Sequence, residues 1–205
     1  MYCAQCRCEF EGWTAKCPNC TTPLVMRPAS ASGITGESLS YDALLDLVRA
    51  NGGRLTIDIS TIAVERERKH SFPHRGYGRA WARKLQGTLG NALADLNTTE
   101  VGRDRRQQFP YQAYGFAWAN GMRGTIGGNE VNLAASRVKR ETKWRFPYRG
   151  YGYAWTEEMS GECGDRLYVE LVTTDVGKHR GRQFPYFAYG YAWANKATLT
   201  LTLKE

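Results

Sequence analysis

At 205 residues, with 28 Lys or Arg against 20 Asp or Glu, the chain carries a formal net charge of +8. That length allows one medium domain with an appendage or two small domains, and the charge favours polyanionic partners without specifying a fold. No stretch approaches the roughly 18 consecutive apolar residues of a membrane span, and the N-terminus lacks the pattern of a secretory signal, so a cytoplasmic protein without membrane contact is expected.

The chain opens MYCAQCRCEFEGWTAKCPNC, with Cys3 and Cys6 in one C-x2-C pair and Cys17 and Cys20 in another. Two thiolates separated by two residues can point into one tight turn and take adjacent corners of a tetrahedral metal, and two such turns close the site. A segment this short cannot bury a useful core, so the metal would supply its folding free energy. The pattern resembles a tetracysteine zinc ribbon or zinc knuckle over residues 1–24. The resemblance implies one structural Zn2+ held by Cys3, Cys6, Cys17 and Cys20, with no open coordination position for catalysis. Cys8 is a spare that could exchange as a ligand, and a disulfide framework is the alternative in an oxidising compartment.

Residues 25–37 are rich in Pro, Ser, Thr and Gly and read as a linker to a domain over residues 38–205. That domain begins with an amphipathic helix. Tyr41, Leu44, Leu45 and Val48 fall at i, i+3, i+4 and i+7, with Ser40 as N-cap and Asn51, Gly52 and Gly53 as the stop.

The remainder repeats one phrase four times: FPHRGYGRAW (72–81), FPYQAYGFAW (109–118), FPYRGYGYAW (146–155) and FPYFAYGYAW (184–193). A fixed period means that one supersecondary unit is repeated, here over about residues 54–90, 91–128, 129–164 and 165–205. Eight residues before each Phe stands Val64, Val101, Val138 or Val176, preceded by period-two alternation such as Leu55, Ile57, Ile59. Alternation returns after each Trp, and Gly90-Asn91, Gly127-Gly128-Asn129 and Gly164-Asp165 are hairpin turn signals. Each repeat therefore predicts a strand, a basic and aromatic crossing, and a returning strand. The expected fold is mainly β: a small zinc ribbon, one short helix, and an eight-stranded antiparallel up-and-down barrel of four hairpin repeats, closed so that no edge is exposed. A four-bladed propeller-like or pinwheel arrangement is the second choice, although the repeat is short for a four-stranded blade.

Trp81, Trp118, Trp155 and Trp193 are expected in the core, and the Gly and Ala of the same phrase on a face that another backbone or a flat ligand could approach closely. Asp58, Asp95, Asn132 and Glu170 recur six residues before the valines and read as the solvated side of the strands, with a polar ring inside the barrel as the alternative.

The charge is concentrated. The four windows from valine to tryptophan hold 16 Lys or Arg against 4 acids. Interleaved with tyrosines, such cations suit phosphates on guanidinium forks and bases on aromatic planes. The candidate nucleic-acid contacts are Arg66, Arg103, Arg140 and Lys178, with Arg68, Arg105, Lys143 and Arg180 beside them, and Tyr111, Tyr148, Tyr186 and His74 in the crossings.

None of the three histidines recurs across the repeats, and no Gly-rich phosphate loop, H-E-x-x-H or nucleophile elbow is present. The reading is a non-enzymatic, zinc-containing nucleic-acid-binding protein that recognises single strands, RNA or duplex shape. The alternatives are a pseudo-symmetric pocket for an anionic small ligand such as a nucleotide or cyclic oligonucleotide, and an assembly module of a larger nucleoprotein complex.

Overall fold

The computed structural model describes residues 38–71, 75–108, 112–145, 149–183 and 187–204, together with Tyr2–Cys3 and Cys8–Glu9. The two short N-terminal stretches, β1 (Tyr2–Cys3) and β2 (Cys8–Glu9), pair antiparallel with Cys3 opposite Cys8. They belong to a unit separate from residues 36–205. Cys6, Cys17 and Cys20 lie outside the described residues.

The helix, α1 (Tyr41–Ala50), starts where Ser40 accepts a hydrogen bond from the Ala43 amide. It buries Leu44, Leu45 and Val48. These join the barrel core at the end where the glycine turns lie, since Tyr41 Oη donates to the Cys163 carbonyl and the Leu39 amide to the Gly127 carbonyl.

Eight long strands follow, β3 (Arg54–Ser71), β4 (Arg75–Leu89), β5 (Ala92–Gln108), β6 (Gln112–Ile126), β7 (Asn129–Arg145), β8 (Arg149–Cys163), β9 (Leu167–Gln183) and β10 (Phe187–Leu203). They form one closed antiparallel barrel in sequence order, with β10 paired to β3. A single continuous ladder replaces the separate blades of a propeller. The turns reverse at Gly90, Gly127, Gly128 and Gly164, all at positive φ, where glycine has no Cβ penalty.

The barrel has two unlike halves. Near the glycine turns every strand is hydrogen-bonded on both sides, as in the β4–β5 ladder from Lys84–Asn97 to Leu89–Ala92. Leu55, Ile57, Leu96, Met122, Val131, Met159, Val169 and Leu199 fill that half. Asp58 and Asn132 are exposed, and Lys84 pairs with Asp95 at 2.8 Å, so the recurring polar row is the outer face.

Beyond it, ladders persist only within each hairpin, β3–β4, β5–β6, β7–β8 and β9–β10. The four hairpins continue as arms. Their inner strands, the second of each pair, pack against one another around a pseudo-fourfold axis. The glycines make this possible: a Cβ on Gly152 would stand 2.6 Å from the Gly115 carbonyl oxygen, and Gly115 and Gly190 similarly meet Gly78 and Gly152 backbone. Both faces of these strands are therefore buried, as in Tyr151 through Thr156.

A register irregularity marks the junction of the halves in every hairpin, between Thr61 and Val64, Thr98 and Val101, Ala135 and Val138, and at Ala194–Ala197. Such bulges break the ladder, and hydroxyls fill in. Thr98 donates to the Ala82 carbonyl, Thr173 to Thr156 and Thr61 to Ala194. The third repeat has Ala135 where its relatives have threonine, and there Thr156, unique among Ala82, Ala119 and Ala194, donates to the Ala119 carbonyl instead. Thr156→Ala is expected to cost about 1–3 kcal/mol by stranding a buried carbonyl. Adding Ala135→Thr, which restores the layout of the other repeats, should recover most of that in a denaturant melt.

Candidate nucleic-acid interface

The basic residues lie on the outer strands of the arms, β3, β5, β7 and β9, rather than in loops. The strands run unbroken up to the Phe-Pro positions, with Ser71 opposite Arg75 and Arg145 opposite Arg149. Tyr111, Tyr148, Tyr186 and His74 fall between the strand ends and lie outside the described residues.

Side chains alternate along an extended strand, and each outer strand directs one row at the preceding arm. In β3 that row is Arg66, Arg68 and His70; in β5, Arg103, Arg105 and Gln107; in β7, Arg140, Thr142 and Trp144; in β9, Lys178, Arg180 and Arg182. The first member of each row makes the same contact. Arg103 stacks 5.3 Å from the ring of Trp81, Arg140 4.8 Å from Trp118, Lys178 4.7 Å from Trp155 and Arg66 5.3 Å from Trp193. A cation thus covers each indole of the preceding arm in a cyclic pattern, an arrangement favoured by the ring quadrupole.

Three of these cations also meet a carboxylate of that arm. Arg103 pairs with Glu67 at 2.9 Å, Arg140 with Asp104 at 2.9 Å and Lys178 with Glu141 at 2.7 Å. The hydrogen bond from Arg103 lowers the Glu67 pKa, against the opposing effect of burial. Half of the predicted cation set therefore has a structural task between arms, with much of its charge met inside the domain.

The rest of the set, Arg68, Arg105, Lys143 and Arg180, is exposed to solvent. Arg105 and Lys143 are exposed and make no ion pair among the described residues, as do Lys69, Arg106, Arg145 and Arg182. Arg68 donates to Tyr191 Oη at 2.9 Å and lies 5.4 Å from the Tyr189 ring, and Arg180 lies 5.9 Å from the Tyr151 ring. Sequence reasoning misses Trp144, which is 55% exposed and flanked by Lys143 and Arg145. The signal was available in the repeat alignment, where Trp144 stands against His70, Gln107 and Arg182.

Of the four repeated tryptophans, Trp81, Trp155 and Trp193 are buried and Trp118 is partly buried. They converge on a cavity of about 10 Å3 above Leu85, Met122 and Met159, at the lower limit for a single water. Cys163 is wholly buried, and burial pushes its thiol up to about 11. A wider groove of about 730 Å3 on the flank of β6–β8 carries Glu100, Glu130 and Glu162 with Arg123, which is the wrong charge balance for an anionic ligand. Among the described residues no group of three or more His, Cys, Asp or Glu is placed to hold a metal, and no helix is long and apolar enough to cross a membrane.

The fold and site together define an eight-stranded barrel extended into four basic hairpin arms around a packed aromatic axis. Comparison with protein-family models, with curated proteins and with solved structures gives no match, and the functional reading rests on this chain's own residues.

Proposed function

We propose that the protein binds nucleic acid, without catalysis, through the solvent-exposed basic side chains of its four arms. The observation that carries this is the exposed cation set Lys69, Arg105, Arg106, Lys143, Arg145 and Arg182, with Trp144 standing among them. After the carboxylates Glu67, Asp104 and Glu141 are taken up between arms, these side chains keep an uncompensated positive surface. Guanidinium and ammonium groups spaced along extended arms suit a phosphate backbone, and an exposed indole between two cations suits a stacked base. α1 offers only Arg49 as a cation, already paired with Asp46, so single strands, RNA or duplex shape are better substrates than bases read in a major groove. Polymer binding predicts affinity that rises with oligonucleotide length and falls steeply with salt, whereas a small-ligand pocket saturates with one nucleotide.

The N-terminal segment belongs to the same reading as a structural zinc module, with one Zn2+ held by Cys3, Cys6, Cys17 and Cys20. Four soft thiolates are the donor set that zinc prefers, and the ion would supply the folding free energy that so short a segment lacks. Replacing Cys3 and Cys6 with Ser is expected to abolish the zinc content found by metal analysis of the purified protein. A full complement in that variant would reassign the segment.

A further inference from the structure

Among the described residues of the arms, Trp144 is the one large apolar side chain left open to solvent, 55% exposed. It stands near the tip of β7, in the row Arg140, Thr142, Trp144 that the third arm turns towards the second. Its cross-strand partner in β8 is Gly150, which has no side chain to lie over the ring. The first arm fills the same position differently. There His70, the counterpart of Trp144, also stands opposite a glycine, Gly76, but its ring packs 4.9 Å from that of Phe187 in the neighbouring fourth arm. The residue of the second arm equivalent to Phe187 is Gln112, so the indole meets no ring from that position.

Cations flank this ring on both sides of its arm. Arg140 pairs with Asp104 of the second arm. Beyond that pair, by alternation along the strands, Trp144 in β7 and Arg106 in β5 both lie on the sides turned to the junction of the two arms. Lys143 and Arg145 lie on the other side of β7 with Glu141, the side that meets Lys178 of the fourth arm. Arg106, Lys143 and Arg145 are exposed and make no ion pair among the described residues. The acids of the same two faces, Asp104 and Glu141, are taken up by Arg140 and Lys178.

We propose that the third arm holds an unpaired base, stacked on the indole of Trp144, with Arg106 on one side and Lys143 and Arg145 on the other as the cations for the adjoining phosphates. The inference rests on the nucleic-acid reading and narrows its substrate class to single strands or unpaired segments. Stacking needs one open aromatic face rather than an enclosing cavity, and every base has a π-face, so the contact is tolerant of sequence. A duplex keeps its bases stacked on one another and offers this indole only backbone. The other arms carry His70, Gln107 and Arg182 at the equivalent position, so the base contact falls on one arm of the four.

The probes are an oligothymidylate, an abasic deoxyribose-phosphate strand of the same length and charge, and a blunt duplex, each titrated against the full-length protein. Oligothymidylate is expected to bind the parent about 5- to 150-fold more tightly than the abasic strand. Trp144→Ala is expected to remove most of that difference, with affinity for the abasic strand and the duplex unchanged and the thermal melt that of the parent. Trp144→Tyr, which keeps a ring, should retain most of it. Oligothymidylate should also quench part of the tryptophan emission of the parent, and the alanine variant should lose that quenching. An oligouridylate in the same titration tells whether DNA or RNA is the tighter source of the base. Equal affinity of the parent for oligothymidylate and the abasic strand, or Trp144→Ala binding oligothymidylate as tightly as the parent, would overturn the stacking site, as would an equal loss on the duplex. If the strands still bind with steep salt dependence in that case, the wider reading stands without it. No binding of any probe to the parent overturns both and leaves the indole as a contact for a protein partner.

Discussion

Replacing Arg105, Arg106, Lys143 and Arg145 together with Ala lowers affinity for single-stranded nucleic acid on the order of 100-fold at about 0.1 M salt, and flattens the slope of log affinity against log salt by about 3. The expectation follows from counterion release, in which each phosphate neutralised on a single strand contributes about 0.7 to that slope. These four side chains are chosen because they are exposed and make no ion pair among the described residues. Their removal leaves no carboxylate stranded, so stability should change by about 0.5 kcal/mol or less per site. Arg103 and Arg140 would be poor substitutes in such a test. Each stacks on a tryptophan and pairs with an acid of the neighbouring arm, so their loss would confuse binding with arm packing. An unchanged salt slope in the fourfold variant would remove the arms from the binding surface.

Gly152→Val is expected to destabilise the domain by about 3 kcal/mol, the upper part of the range for overpacking. For a protein of this size that lowers the melting temperature by roughly 6–12 °C. The added Cβ would stand 2.6 Å from the Gly115 carbonyl oxygen, 3.1 Å from its nitrogen and 3.1 Å from Tyr114 Cβ. No rotamer relieves a clash with backbone, and neither inner strand can retreat, because Gly190 in turn lies against Gly152 from the other side. Gly181→Ala is the control. Its Cβ would make only ordinary contacts, 3.5 Å to Tyr189 and 3.6 Å to Tyr191, and its thermal melt should match the parent. Equal melts for the two variants would mean that the inner strands do not pack as closely as described.

Much of this architecture was legible in the residues. The Phe-Pro period gave four hairpins, the glycines at 90, 127 and 164 placed the turns, and Ser40 with Leu44, Leu45 and Val48 placed the helix. The Gly and Ala of the repeated phrase predicted close approach of another backbone, which Gly115 and Gly152 realise. Local periodicity stopped short of the contacts between hairpins. Alternation along β5 says that Arg103 and Arg105 share a face, but not that this face meets Glu67 and Trp81 some 36 and 22 residues earlier. Only barrel closure decides which arm is opposite which. The bulges were also hidden, since Thr61, Thr98 and Thr173 read as ordinary strand residues until their hydroxyls are seen to serve carbonyls of the preceding arm.

The most direct test is a fluorescence-anisotropy titration of the purified protein against single-stranded DNA, duplex DNA and RNA of matched length, at low and moderate salt. Saturable binding to at least one of them is predicted, stronger for longer oligonucleotides and weakened steeply by salt. Absence of binding to all three at low salt would contradict the proposed function and leave the cations of the arms as an interface for an acidic protein or a small anion.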